Sequence, residues 1–285
     1  MSEQSFPAQQ QTPPGSTAAM DPVPDHGETS YVGHERLAGR RALITGGDSG
    51  IGRATAIAYA REGADVAFTY LPEEKDDADA TRALVEDAGR AAVMIEADLR
   101  DSATCDRVVA ETVAALGGLD ILVNNAGYQM ARYDNLEDLT DERIERTITT
   151  NLTALFWMCR AAVPHLAAGS VIINNSSIQA FDPSTTLLDY ASTKAAINNA
   201  TVNLAAQLGP RGIRVNAVAP GPIWTPLQPA TQTAEKIEVF GQETPLGRAG
   251  QPAEVAPAFV FLASEQDASY ISGTVLGVTG GKPVF

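Results

Sequence analysis

The feature that most constrains this chain is an alternation of short apolar segments with longer amphipathic segments, beginning at about residue 40. Apolar runs of roughly four to eight residues between longer helical patterns are typical of β–α–β units. Right-handed crossovers between parallel strands place the helices on both faces of one sheet. We therefore predict an α/β fold with a single doubly wound, Rossmann-type parallel sheet. The predicted strands are residues 42–44, 65–70, 91–96, 119–124, 171–175, 213–218 and 274–278. The predicted helices are residues 53–62, 76–88, 102–116, 141–166 with an interruption near Pro164, 190–208 and 253–263.

Residues 1–39 differ in composition from the rest and lie outside this pattern. They are rich in Gln, Pro, Ser and Thr, and their five prolines exclude a continuous helix. We predict an extended or disordered N-terminal arm over residues 1–39 and one domain over residues 40–285. Tyr31, Val32 and Leu37 are expected to anchor the end of the arm on the domain, with docking on a neighbouring subunit as an alternative.

The composition excludes several classes of function. With 20 Lys and Arg against 35 Asp and Glu, the net charge of −15 repels polyanions, so we expect no nucleic-acid partner. No run of about 18 apolar residues exists, which predicts no membrane span. The two cysteines and three histidines are scattered, so we expect no metal site. These features and a polar N-terminus without a secretory pattern predict a cytoplasmic location.

A glycine-rich segment follows the first predicted strand and reads Thr-Gly-Gly-Asp-Ser-Gly-Ile-Gly over residues 45–52. Glycine lets the backbone approach a diphosphate closely, and the next helix presents free N–H groups and the positive end of its dipole. A glycine-rich turn without a ligand is the alternative, but ligands of doubly wound sheets bind at this position. We therefore predict that the domain binds a dinucleotide through Gly46, Asp48, Ser49, Gly50, Ile51 and Gly52.

Tyr190 and Lys194 are four positions apart in a predicted helix, so their side chains share one face. A nearby cation stabilises a phenolate and lowers the pKa of the tyrosine from its usual value of about 10. Such a tyrosine can exchange a proton with an alcohol or a carbonyl group. An isolated pair of this kind is more often a packed tyrosine with a solvated lysine, so the neighbouring motifs decide between the two readings.

Several motifs occur in the order and spacing of one known family. Residues 45–52 fit its TGxxxGxG motif, residues 124–127 read Asn-Asn-Ala-Gly, residues 190–194 fit YxxxK, and residues 220–225 fit PGxxxT. Over about residues 40–281 the chain resembles the classical short-chain dehydrogenase/reductase family. The arm, Asp48 and residues 70–74 resemble a bacterial branch of that family, the glucose/ribitol dehydrogenase-like proteins.

The resemblance implies a role for each matching residue. In a catalytic tetrad, Ser177 would hold the substrate oxygen and Tyr190 would transfer the proton. Asn151 would bend its helix and hold a water that links Lys194 to solvent. The other expected cofactor contacts are Tyr70, Asp98, Leu99, Asn125, Ala126, Gly127, Tyr190, Lys194, Pro220, Gly221, Ile223 and Thr225. The expected substrate contacts are Ser177, Gln179, Tyr190 and Trp224.

The choice between NAD and NADP is predicted from the end of the second strand. The family's NAD-dependent members typically place an aspartate there, where this chain has Tyr70. The basic residues that typically hold a 2′-phosphate are also missing, and Glu73 and Glu74 would repel that phosphate. We therefore predict NAD rather than NADP, with Arg53 as the main argument for NADP.

Together these features predict an NAD(P)-dependent oxidoreductase, a short-chain alcohol dehydrogenase or carbonyl reductase acting on a small molecule. The cofactor would exchange hydride with the substrate, and Tyr190 would act as general acid or base. The alternatives are a non-catalytic cofactor-binding sensor or scaffold, and an epimerase or dehydratase that retains its cofactor. Residues 226–250 are predicted to form a substrate lid, with a plain surface loop as the alternative. The resemblance also implies a homotetramer.

Overall fold

Seven strands, all parallel, form the central sheet in the order β3-β2-β1-β4-β5-β6-β7. The computed structural model describes residues 5–132 and 135–285. The strand order reverses beside β1, which is the position where doubly wound sheets open a ligand crevice. This sheet confirms the predicted fold class. Its strands are β1 (Arg41–Ile44), β2 (Asp65–Tyr70), β3 (Ala92–Glu96), β4 (Ile121–Asn124), β5 (Val171–Asn175), β6 (Arg214–Pro220) and β7 (Val275–Val278).

The helices connect these strands and cover the sheet. Within the described ranges, none of them is both long and apolar enough to cross a bilayer. They are α1 (Gly50–Arg61), α2 (Lys75–Asp87), α3 (Ser102–Leu116), α4 (Asp141–Ile148), α5 (Ala154–Ala162), α6 (Leu188–Leu208), α7 (Leu227–Thr231), α8 (Ala234–Glu238), α9 (Pro252–Ala263) and α10 (Glu265–Ala268).

Two hydrophobic clusters fill the space between the sheet and its two helical layers. In β1, Ala42 and Ile44 pack in a cluster with α1 and α9, whereas Leu43 packs in a second cluster with α3, α5 and α6. In β5, Ile173 and Ile172 are divided between the clusters in the same way. Because successive strand residues point to opposite faces, an uninterrupted apolar strand supplies both cores.

The helix predicted over residues 141–166 is divided in the structure. A π-helical turn, Thr149–Thr153, separates α4 from α5, and a 3₁₀ turn, Val163–His165, follows α5 at Pro164. A π-helical turn inside an α-helix commonly marks a functional site. The sequence pattern predicted the length of this segment and the break at Pro164 but not the change of helix type.

The arm packs on the domain along the described part of its length, residues 5–39. Phe6, Met20 and Leu37 are buried, and a 3₁₀ turn, Thr17–Ala19, lies in a segment that otherwise consists of irregular chain and turns. Residues 1–4 of the predicted arm lie outside the described residues. Of the predicted anchors, Val32 is 69% exposed and does not serve as one. The buried apolar side chains of the arm, Phe6, Met20 and Leu37, are spaced irregularly along the chain. They therefore show no helical or strand periodicity in the sequence.

Candidate active site

One cleft lies at the carboxyl ends of the strands, on the side where doubly wound sheets bind ligands. The loops that follow β1 to β6 contribute to its walls. Among the predicted catalytic residues, Ser177, Tyr190 and Lys194 line this cleft. The predicted cofactor-binding residues that line it are Gly46, Asp48, Ser49, Gly50, Ile51, Tyr70, Asp98, Leu99, Asn125, Ala126, Gly127, Tyr190, Lys194, Pro220, Gly221, Ile223 and Thr225.

Gly52 lies behind the cleft and not in its wall, which differs from the prediction. A Cβ atom at this position would lie 1.9 Å from the carbonyl oxygen of Gly46 and 2.6 Å from Nδ2 of Asn125. Gly46 and Gly50 both have positive φ angles, of 60° and 51°. The glycines therefore allow the loop to fold tightly against the start of α1, where free N–H groups can meet an anion.

The Asn-Asn-Ala-Gly segment after β4 holds this loop in place. Nδ2 of Asn125 donates to the carbonyl oxygens of Thr45 and Gly46, at 3.0 and 2.7 Å. The Thr45 hydroxyl accepts from the backbone N–H groups of Asn125 and Ala126 at 2.9 and 3.0 Å. Nδ2 of Asn175, at the end of β5, donates to Oδ1 of Asn125 at 2.9 Å. The ends of β1, β4 and β5 are thus joined through one side chain.

Tyr190 and Lys194, near the start of α6, face Ser177 at the end of β5. Ser177 lies beside the phenol of Tyr190, close enough to lower the pKa of that group. Nζ of Lys194 donates to the carbonyl oxygen of Asn175 at 2.6 Å and lies 5.3 Å from the centre of the Tyr190 ring. A hydroxyl pair beside a buried ammonium group can hold a carbonyl or alcohol oxygen and move a proton to or from it.

Burial dominates the protonation of this pair. Loss of water contact raises the pKa of Tyr190 to about 12, against the opposing effect of the hydrogen bond from Ser177. Burial also lowers the pKa of Lys194 to about 7. The sequence led us to expect that the lysine would lower the pKa of the tyrosine. The structure differs because desolvation disfavours the charged form of both groups. Tyr190 is therefore a protonated acid near neutral pH.

Asn151 lies behind the cleft wall, in the π-helical turn. Its Oδ1 accepts from the backbone N–H of Tyr128 at 2.7 Å, and its Nδ2 donates to the carbonyl of the same residue at 2.9 Å. Nδ2 also donates to Oγ1 of Thr193 at 3.1 Å. The side chain therefore ties the loop after β4 to α6 next to Lys194. This placement supports a positioning role.

The comparisons with known proteins agree with this geometry. A family model described as Enoyl-(Acyl carrier protein) reductase matches residues 46–282. A short-chain dehydrogenase from Burkholderia cenocepacia, solved in complex with NADP, is 38% identical with a TM-score of 0.80, covering 86% of this chain and 98% of that one. The chain belongs to the short-chain dehydrogenase/reductase family. It is an oxidoreductase of that family, as the resemblance of its motifs implied.

Other similar proteins include a glucose and ribitol dehydrogenase and an NADH-dependent reductase. YghA of Escherichia coli, an uncharacterized oxidoreductase, is 55% identical over 97% of this chain and 94% of its own length. The glucose and ribitol dehydrogenase of Daucus carota is 46% identical over 98% and 97%. A solved NADH-dependent reductase responsible for alginate metabolism is 33% identical, with a TM-score of 0.78 over 88% and 100%. The comparisons support a nicotinamide cofactor but not the predicted preference for NAD.

Two of the four predicted substrate contacts are not in the cleft wall of this short-chain dehydrogenase/reductase. Oε1 of Gln179 accepts from the backbone N–H of Ser184 at 2.6 Å, so its amide is engaged in a local turn. Trp224 is fully buried, and its Nε1 donates to the carbonyl oxygen of Pro22 at 2.7 Å. The Trp224 side chain points toward the arm because the arm supplies its apolar and polar partners. Neither residue is placed to contact a substrate.

An acidic corner, formed by Asp48, Glu74 and Asp77, lies where β2 meets the cleft. Oδ2 of Asp48 is buried and, among the described residues, has no hydrogen-bond partner. Burial, and then the neighbouring carboxylates, raise the pKa of both Asp48 and Glu74. The guanidinium of Arg53 donates to the Asp48 carbonyl, Thr81 and Asp77, at 2.8 to 2.9 Å. These hydrogen bonds hold the Arg53 side chain in the acidic corner, and it does not line the cleft.

The unpartnered oxygen of Asp48 suits the hydroxyl groups of a nucleotide ribose. The glycine cradle beside it leaves the backbone of Gly46 and Gly50 open to a diphosphate. Together these features fit a dinucleotide.

The sequence missed several residues that line the cleft. Arg100 pairs with Asp98, and Arg146 lies over the ring of Tyr128 with its Cζ 4.2 Å from the ring centre. The sequence analysis assigned no role to either arginine. Pro13 and Pro14 of the arm also line the cleft, a contact that no pattern in the sequence indicates.

Proposed function

We propose that this protein is an NAD(P)-dependent oxidoreductase that interconverts a secondary alcohol and a carbonyl compound. The observation that carries the proposal is the meeting of Ser177, Tyr190 and Lys194 in the wall of one cleft, beside a glycine-rich loop. When bound, the nicotinamide cofactor supplies or accepts the hydride. The residues of the chain bind and orient the two reactants and handle the proton.

Each side chain has a role that follows from its contacts. The Ser177 hydroxyl, which lies beside the phenol of Tyr190, holds the substrate oxygen. The protonated phenol of Tyr190 gives its proton to that oxygen during reduction and recovers it during oxidation. Lys194, held by the carbonyl of Asn175, supplies positive charge near the phenol when protonated. Asn151 fixes the start of α6 from behind and acts as a positioning residue.

The test is a comparison of Tyr190→Phe with the wild type on a panel of sugars, polyols, ketones and aldehydes, followed through reduced-nicotinamide absorbance. Loss of general acid–base catalysis lowers kcat by about 10²- to 10⁴-fold, while the variant still binds the cofactor. Tyr270→Phe is the matched control, since that side chain is fully exposed. A Tyr190→Phe variant that keeps near-full turnover contradicts the assignment. Cofactor binding without turnover of any panel member by the wild type supports the sensor instead.

We propose NAD as the preferred cofactor, on the evidence of the acidic corner. A 2′-phosphate would meet the carboxylate of Asp48, whereas the ribose hydroxyls of NAD can donate to the carboxyl oxygens of Asp48 and Glu74. Arg53, the main argument for NADP, is held by Asp77 and Thr81. The measurement is the dissociation constant for NADH against NADPH by fluorescence titration. Tighter binding of NADPH contradicts this preference without affecting the assignment of Tyr190.

We also propose that the protein forms a homotetramer. Several large apolar side chains are exposed on α5, α6 and the C-terminal segment, an arrangement that favours association. They include Phe156 at 46%, Leu188 at 48%, Val202 at 55% and Phe285 at 103% exposure. Light scattering should give four times the chain mass of 29.9 kDa. A monomeric mass contradicts this proposal.

A further inference from the structure

We infer that the N-terminal arm forms part of the cofactor-binding site. Pro13 and Pro14 line the cleft, and the arm connects the lid, residues 226–250, to the glycine-rich loop. The inference rests on the proposed binding of a nicotinamide cofactor in this cleft. It predicts that cofactor release requires the arm or the lid to move.

Pro13 and Pro14 line the cleft together with Asp48 and Ser49 of the glycine-rich loop. The next residue of the arm, Gly15, lies so close to the start of the lid that a Cβ atom there would be 2.8 Å from the carbonyl oxygen of Pro226. Pro226 lines the cleft as well. The arm therefore meets the cleft and the lid at one place.

On one side, the arm is bound to the glycine-rich loop. The backbone N–H of Thr17 donates to Oδ2 of Asp77 at 2.9 Å, and this bond is buried. The other carboxylate oxygen of Asp77 accepts from Arg53, which also donates to the Asp48 carbonyl. Three successive contacts thus connect the arm to the loop that would cradle the diphosphate.

On the other side, the arm is bound to the lid. The backbone N–H of Gln11 donates to the carbonyl of Pro229 at 2.9 Å, and Nε2 of Gln10 donates to the carbonyl of Gln232 at 3.1 Å. Arg132 bridges the two segments, since its Nη2 donates to the carbonyls of Ala230 and Gln11 at 2.8 and 3.3 Å.

Arm and lid also share a hydrophobic cluster, separate from the two clusters that flank the sheet. Phe6 and Met20 from the arm are buried in it with Trp224, Ile237 and Ala249. The rings of Phe6 and Trp224 are stacked, with centroids 3.8 Å apart and planes 9° from parallel. Removal of Phe6 would leave a cavity beneath the lid, and the two segments would lose the packing that holds them together.

The test measures release of bound NADH from the full-length protein after a large excess of NAD⁺ is added, through the loss of NADH fluorescence. Phe6→Ala should raise the dissociation rate constant by about tenfold, because weakened contacts act mainly on release. Pro13→Ala/Pro14→Ala, which changes half-buried residues and spares the cluster, should raise it by about threefold or more. Val23→Ala is the control, at an arm position that is 62% exposed, and should leave the rate unchanged.

A second readout shows whether the arm has been displaced. In a Trp157→Phe background, the emission of Trp224 should shift to longer wavelength in Phe6→Ala and stay unshifted in Phe6→Leu. The inference is overturned if Phe6→Ala shifts the emission of Trp224 while NADH release is unchanged in both Phe6→Ala and Pro13→Ala/Pro14→Ala. A wild-type protein that binds neither NADH nor NADPH overturns the proposed function on which the inference rests, a result distinct from the previous one.

Discussion

The Glu62 carboxylate joins the end of the arm to α1, and Glu62→Gln tests how strongly. The side chain has no exposed surface and accepts hydrogen bonds from the Tyr31 hydroxyl at 2.6 Å and the His34 backbone N–H at 2.8 Å. It also accepts from the Arg36 backbone N–H at 3.0 Å and from its Nη2 at 2.7 Å. A glutamine at this position keeps one acceptor oxygen but places an NH₂ group against these donors.

The magnitude follows from the pKa of Glu62. Burial alone would raise it, but the hydrogen bonds from Arg36, Tyr31 and the backbone outweigh burial and lower the pKa from 4.5 to about 2. That difference corresponds to about 3 kcal/mol. Arg36 is partly exposed, and water screens its charge, so we expect Glu62→Gln to lower the free energy of unfolding by about 2–3 kcal/mol at neutral pH.

The pH dependence has a definite sign. A carboxyl group with a depressed pKa stabilises the folded state fully above its unfolded pKa of about 4.5, and this contribution is lost as the pH falls through about 2. The difference between the wild type and Glu62→Gln should therefore shrink from pH 4.5 downward. Urea denaturation across this range measures it, with the exposed Glu86→Gln as control. A loss below about 1 kcal/mol at neutral pH, or a difference that does not change with pH, refutes the reasoning.

Three further changes have definite expected outcomes. Gly52→Ala should abolish cofactor binding, measured by NADH titration, because its Cβ would lie 1.9 Å from the Gly46 carbonyl oxygen; Gly209→Ala, whose Cβ meets open space, should bind normally. Lys194→Met should remove turnover yet raise the free energy of unfolding by about 1–2 kcal/mol at neutral pH, because burial opposes the charged ammonium; lower stability by urea denaturation counts against this. Asp48→Asn should raise affinity for NADPH relative to NADH by about tenfold, and an unchanged ratio of dissociation constants removes Asp48 from cofactor selection.

The sequence predicted those parts of the molecule that short-range patterns determine. α3 begins and ends as predicted because the Asp101 side chain caps its first turn and Gly117, with φ of 74°, ends it. The residues that line the cleft were predicted mainly from the resemblance of their motifs to a known family. Most of them follow a strand of the parallel sheet, where strand ends converge, whereas Tyr190 and Lys194 lie on α6. Trp224 and Gln10 could not be placed, since their hydrogen-bond partners, Pro22 and Gln232, lie more than 200 residues away along the chain.

The protonation states of Tyr190 and Lys194 could not be predicted from the sequence either. A spacing of four residues indicates that Tyr190 and Lys194 are neighbours, but only the packed structure shows how much water each has lost. Local order along the chain determines which groups meet. Their surroundings, assembled from distant segments, determine which charges those groups can carry.

The Asn125 amide joins the ends of β1, β4 and β5, so the two sides of the cleft should differ in rigidity. The side formed by the sheet is cross-linked and should exchange its amide hydrogens slowly, whereas the side formed by the arm and the lid should exchange them faster. On this view, the residence time of the cofactor depends on the arm and the lid, and the rate of the chemical step depends on the residues held by the sheet. Substitutions in the arm or the lid should therefore change how long the cofactor stays bound without moving the reacting groups.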